Sequence, residues 1–143
     1  MIGKEARRIA PHWLPALLYM GLIWLLSSLE LGPLPLDRVP LRDKGIHFLE
    51  YAALGVFMAH ATLRTWPRHH PIRTAFLAFW VTCLWGLLDE IHQAFVPNRS
   101  SELFDLIADC AGAFLGVATR TAAGAVARYV RGLRAEKKVA QPS

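Results

Sequence analysis

"FLAFWVTCLWGLLDEIHQ", residues 76–93, decides how the chain is read. Thirteen residues from Phe76 to Leu88 carry no charge, and then Asp89, Glu90, His92 and Gln93 arrive with no turn signal before Pro97. A helix packed on a soluble core shows a polar face every turn, and none interrupts these thirteen positions. Lipid tolerates such a stretch on all sides, whereas ionisable groups at membrane depth turn toward one another or toward a water-filled cavity. The stretch is therefore read as a membrane span that carries buried polar groups in its last turns.

Composition agrees. The chain has 143 residues, of which 54% are hydrophobic, yet Lys and Arg number 16 against 11 Asp and Glu. A basic soluble domain of this size rarely carries so much apolar surface; a small polytopic membrane protein does. The basic excess fits cytoplasmic loops and anionic headgroups. Aromatic and basic residues are not interleaved as single-stranded nucleic acid requires, so no nucleic-acid partner is expected. The partners expected instead are membrane lipids.

Working outward, four apolar stretches appear, at about 13–29, 46–63, 74–96 and 103–127. Each approaches the ~20 residues that cross ~30 Å of hydrocarbon. The expected fold is all-α, a bundle of four transmembrane helices forming one domain over 1–127, followed by a basic cytoplasmic tail at 128–143 that frays. Lys4, Arg7 and Arg8 resemble the start of a signal peptide, but no small-x-small site follows, so an uncleaved first span is expected. Pro15 then falls in a first helical turn, where its missing N–H does little harm. Cys83 and Cys110 read as small buried hydrophobes, about 9 Å apart in depth and unbridged.

Counting Lys and Arg by flank gives twelve on the side of the termini and the second loop, and four on the side of the first and third loops. Both termini are thus expected in the cytoplasm, with the plasma or inner membrane as the location. The second span then starts at the outer face with "DKGIHFLEY", 43–51; the third ends there with "DEIHQ", 89–93; the fourth starts there with "SELFDLIADCAGAFLG", 101–116.

This ordering brings Asp43, Lys44, His47, Glu50, Tyr51, Glu90, Gln93, Asp105 and Asp109 to one leaflet, with Arg99 in the loop beside them. Asp43, His47 and Glu50 share a helix face at i, i+4 and i+7. Asp43 and Asp105 also suit helix N-termini, but Glu90 lies where the helix dipole opposes a carboxylate, and Asp109 is a turn deeper than any cap. Those two favour a functional or ion-pairing role. Arg99 is placed to grip a carboxylate with both arms. With Asp89 also at this end, Lys44 and Arg99 are two cations for six carboxylates, Asp43, Glu50, Asp89, Glu90, Asp105 and Asp109, and cannot pair them all. Gly112 and Gly116 form a G-x-x-x-G pattern suited to close helix packing. His60, His69 and His70 lie at the other end and are expected to be solvated.

With "DKGIHFLEYAALG" and "DEIHQAFVPNRSSELFDLIADCAGAFLG" in one order across four spans, the chain resembles the VanZ-like family of small integral membrane proteins. The family pattern D-K-x-x-H falls on Asp43, Lys44 and His47; E-x-x-Q on Glu90 and Gln93; P-x-R on Pro97 and Arg99. D-x-x-x-N-x-x-G-x-x-x-G falls on Asp105, Asp109, Gly112 and Gly116, with Asp109 where the family has Asn. Tyr51 also matches. The resemblance implies a cell-envelope membrane protein, linked to glycopeptide antibiotic response or lipid-linked wall chemistry.

Three functions remain open on the residues alone. The first is a non-enzymatic protein that binds an amphipathic, lipid-linked or glycopeptide-like ligand at its outer mouth. The second is a membrane enzyme, acid–base or metal-assisted, acting on a lipid-linked substrate; no H-E-x-x-H, nucleophile elbow or phosphatase motif supports it, and no catalytic residue, metal or cofactor is assigned. The third, an ion conductor, needs ionisable groups across the whole bilayer, which the inner halves do not supply.

Overall fold

The computed structural model describes residues 2–29, 42–97, 99 and 101–140, without the side chains of residues 2, 42, 43 and 138–140. Four helices follow in order: α1 (Ile2–Ser27), α2 (Arg42–Thr65), α3 (Pro71–Gln93) and α4 (Leu103–Ala140). All four are long and apolar enough to cross a membrane. The described chain has no strand, so the expected all-α membrane architecture is the one observed.

Helix ends follow local chemistry. α2 stops at Thr65, because Trp66 precedes Pro67 and the residue before a proline avoids helical backbone. α3 opens with Pro71 in its first turn, where a missing N–H costs nothing, and the His70 ring accepts from the Ile72 N–H at 3.3 Å. It closes at Gln93, with the Ala94 N–H bonded back to Glu90 O.

Two boundaries differ from expectation. α1 begins at Ile2 rather than near 13, so Pro11 and Pro15 both lie inside the helix and each removes one backbone donor from it. The early charges that ended the apolar stretch on the sequence do not end the helix, since Glu5, Arg7 and Arg8 are exposed and need no lipid. At the other terminus, α4 continues through the basic stretch expected to fray. Its 38 residues span ~57 Å at ~1.5 Å per residue, nearly twice a hydrocarbon layer, so its Arg-rich second half extends beyond the bundle.

Packing is inverted relative to a soluble bundle. The interior is rich in small and polar residues: Ala16, Ala59, Ala61, Ala78 and Ala113 are fully buried with Thr62, Thr82 and Asp109, beside a few larger side chains, Tyr51, Leu54 and Met58. Large apolar side chains such as Leu18, Leu49, Phe76 and Phe114 face outward. Close backbone approach, rather than burial of bulk, is what holds helices together in lipid. α2 and α4 form the main seam. A Cβ on Gly112 would overlap the Phe48 carbonyl and one on Gly116 the Ala52 carbonyl, while one on Gly55 would stand 2.7 Å from Ala113 O. Only glycine fits at these three crossings. α1 is tied on at one end by Trp13 Nε1, which donates to Thr65 Oγ1 at 2.7 Å.

The same close packing brings Cys83 on α3 into side-chain contact with Cys110 on α4, both as free thiols. The expected depth difference between them is not observed. α3 starts and stops earlier than its apolar run suggested, which slides Cys83 toward the level of Cys110.

Candidate functional site

The polar groups gather where α1 and α3 end and α2 and α4 begin. α3 supplies Asp89, Glu90 and Gln93, all buried, from its last two turns. α2 supplies His47, 6% exposed, and Tyr51, fully buried one turn further on. α4 supplies Asp105 and, one turn deeper, Asp109, which has no exposed surface. α1 supplies Ser27, also buried.

Three sub-networks divide these groups. In the first, Ser27 Oγ donates to Asp89 Oδ2 at 2.8 Å, and Gln93 Nε2 donates to the same oxygen at 2.9 Å. In the second, Lys44 Nζ reaches Asp105 Oδ1 at 3.2 Å and Glu102 Oε2 at 2.9 Å. In the third, His47 Nδ1 lies 3.0 Å from Asp109 Oδ1 and 4.0 Å from Glu90 Oε1. Glu90 is held from behind: its Oε2 accepts from Ser101 Oγ at 3.1 Å and from the Glu102 N–H at 2.9 Å. Asp109 is held by the absence of a side chain on α3, since a Cβ on Gly86 would come within 3.0 Å of Asp109 Oδ2 and 3.2 Å of Tyr51 Cε1.

Several buried polar atoms in this cluster have no hydrogen-bond partner among the described residues: Glu90 Oε1, Asp109 Oδ2, Asp89 Oδ1 and Tyr51 Oη. A buried unsatisfied polar atom costs on the order of 1–3 kcal/mol. Four such atoms lie in this one cluster.

Most of the residues singled out on the sequence meet here: Lys44, His47, Tyr51, Glu90, Gln93, Asp105 and Asp109. Glu50 is half-buried on α2 and interacts electrostatically with His47, Asp89, Asp109 and Arg99. The side chain of Asp43 lies outside the described residues. Arg99 behaves differently from its expected role. Among the described residues its Nη2 donates to the Leu26 carbonyl at 3.2 Å, capping the end of α1 rather than forking onto a carboxylate. That carbonyl already accepts from the Leu29 N–H at 3.2 Å, so the guanidinium adds a second donor at the end of α1.

Four participants escaped the sequence reading. Ser27 is one; its only signal is a hydroxyl in the last turn of an otherwise apolar helix. Ser28 is a second; its Oγ lies 2.9 Å from Nε2 of His92, whose ring stacks on Trp24 with centroids 4.1 Å apart. Glu102 and Gly86 are the others. Asp89 stood beside Glu90 in the sequence, yet only the helix phase reveals that both turn inward.

At the opposite end, a cavity of about 470 Å³ is lined by Arg64, His69, Arg120, Arg128 and Arg131 among others. His60 is not simply solvated: Arg120 Nη2 donates to its Nδ1 at 3.2 Å, and its ring meets His12 edge-on at 5.4 Å.

Four span-length helices, a small-residue interior and a buried polar knot at one end define a polytopic helical membrane protein. The VanZ/LLP1 family model matches residues 12–123, and the chain belongs to that family. No curated protein and no solved structure matches it.

Proposed function

We propose that this chain is a cell-envelope membrane protein that binds an amphipathic or lipid-linked ligand at the polar end of its bundle, in the context of the glycopeptide antibiotic response. The observation that carries the reading is the convergence of Ser27, His47, Asp89, Glu90, Asp105 and Asp109 from all four helices, with carboxylate oxygens of Asp89, Glu90 and Asp109 unpartnered among the described residues. Around this end Phe95, Leu103 and Phe104 are exposed, each by more than 65%. A headgroup at Lys44 and acyl chains along these side chains would match an amphiphile. The excess of Lys and Arg on the other flanks supports an extracytoplasmic position for the site in the plasma membrane.

The test pairs two measurements. Glycopeptide tolerance is compared between a deletion strain and its complement, and binding of lipid-linked wall precursors is measured on wild type and Lys44→Ala in nanodiscs. The reading expects reduced tolerance on deletion and weakened binding in the variant; unchanged tolerance together with unchanged binding overturns it.

A membrane enzyme acting on a lipid-linked substrate is the second reading, favoured by one feature. His47 and Asp109 are buried in direct contact, as an acid–base pair would be. Turnover of the bound precursor by purified protein, lost in Asp109→Asn, would distinguish it from binding alone.

A further inference from the structure

We infer that His47, Glu90 and Asp109 form a binding site for a divalent first-row transition ion. One donor atom from each lies within 4.8 Å of the other two, and all three residues are buried. They come from α2, α3 and α4, so no local sequence motif announces the set.

Neighbouring groups orient these donors. The α3–α4 connection occupies Glu90 Oε2 with two donors, Ser101 Oγ and the Glu102 N–H, and this leaves Oε1 turned toward His47 with no hydrogen bond among the described residues. Outer hydrogen bonds of this kind are what orient a carboxylate on a metal. Asp109 presents one oxygen to His47 Nδ1 at 3.0 Å while its second, Oδ2, lies against Gly86 and has no hydrogen-bond partner among the described residues. Donors sharing one ion at bond lengths of ~2.1 Å stand roughly 3.0–3.4 Å apart. The His47–Asp109 pair already has that spacing, and Glu90 Oε1, at 4.0 Å from Nδ1, needs only a small side-chain movement.

Charge points the same way. Lys44 is engaged by Asp105 and Glu102, and Arg99 by the Leu26 carbonyl. Among the described residues, Asp89, Glu90 and Asp109 have no Lys or Arg within ion-pairing distance. Carboxylates buried at membrane depth pair with cations or bind them. One imidazole nitrogen and two carboxylate oxygens suit Zn²⁺, Mn²⁺, Co²⁺ or Fe²⁺ rather than Ca²⁺ or Cu⁺. Three protein donors also leave a coordination position for an oxygen of an anionic ligand.

This deepens the ligand-binding reading and rests on the same cluster, but the two can fail separately. The full chain, carrying no histidine tag and with Cys83→Ala and Cys110→Ala to remove thiolate ligands, is stripped with chelator in nanodiscs. Co²⁺ is then titrated while its visible ligand-field bands are followed, and Zn²⁺ is used as competitor. We expect one Co²⁺ per chain, displaced by Zn²⁺. Affinity should fall at least ~10-fold in Glu90→Gln and Asp109→Asn, fall by a similar factor in Ser101→Ala, which touches only the outer hydrogen bond, and stay within about 3-fold in Asp105→Asn. No Co²⁺ bands in the unsubstituted site overturns the inference, whatever the variants do. So does equal affinity in Glu90→Gln, Asp109→Asn and Asp105→Asn, and a variant that does not fold leaves the Ser101→Ala comparison to decide. Precursor binding is measured with and without chelator: Co²⁺ bound without precursor affinity sinks the ligand reading alone, and precursor affinity without Co²⁺ sinks the metal site alone.

Discussion

Ser27 offers a sharp test of the way α1 joins the site. It is separated from Asp89 by 62 residues, yet its hydroxyl donates to Asp89 Oδ2 at 2.8 Å with both side chains buried. Nothing in the sequence pairs these positions, so energetic coupling between them can arise only from the fold. Side-chain hydrogen bonds between membrane helices average ~0.6 kcal/mol in double-mutant cycles and reach roughly 1.7 kcal/mol. Burial and a short contact place this bond in the upper part of that range. Gln93 Nε2 pulls the other way, since it donates to the same oxygen at 2.9 Å and lies 3.4 Å from Ser27 Oγ. It can take over part of the lost bond. The expected coupling is therefore about 1 kcal/mol, from unfolding of wild type, Ser27→Ala, Asp89→Ala and the double variant by steric trapping in bicelles. Strict additivity, with a coupling within ~0.3 kcal/mol of zero, would refute the placement of α1.

Other expectations follow from the seam and its ties. Gly112→Leu and Gly116→Leu drive a side chain into the α2 backbone, and each should lose the folded monomer in size-exclusion and near-ultraviolet dichroism; an intact fold would contradict the close approach. Gly86→Ala should be milder, about 1–3 kcal/mol of overpacking against Asp109 and Tyr51, read as a lowered unfolding free energy. Trp13→Phe removes the bond to Thr65 while keeping the ring, so a loss of only about 0.6 kcal/mol is expected by the same measure. Lys44→Glu should lower the unfolding midpoint, and adding Glu102→Lys should restore part of the loss, since the two face each other at 2.9 Å.

The fold was legible because lipid imposes a coarse rule. Thirteen uncharged residues in α3 and seventeen in the first apolar stretch exclude a soluble bundle without any knowledge of contacts. Helix ends were less legible. Hydropathy marks where lipid ends, not where hydrogen bonding ends, so α1 was drawn too short by its charged first turns and α4 by its arginines. The site was legible in its acidic members, since Glu90 and Asp109 are costly at membrane depth unless something there needs them. Ser27, Ser28 and Gly86 were not. A terminal hydroxyl or a mid-helix glycine has many uses, and only the packing of α1 and α4 against α3 selects one. Arg99 shows the opposite error. Its charge suggested a carboxylate partner, but its guanidinium donates to the Leu26 carbonyl at the end of α1.

The central claim is that side chains from separate helices meet at one end of this bundle. Cysteine cross-linking in membranes tests it most directly, in a chain carrying Cys83→Ala and Cys110→Ala. Ser27→Cys combined with Asp89→Cys should join rapidly under mild oxidant or a short bis-thiol reagent, and Ser27→Cys combined with Thr65→Cys, at the other end, should not. Cross-linking of the second pair, or no reaction in the first while both thiols remain reactive, would contradict the account.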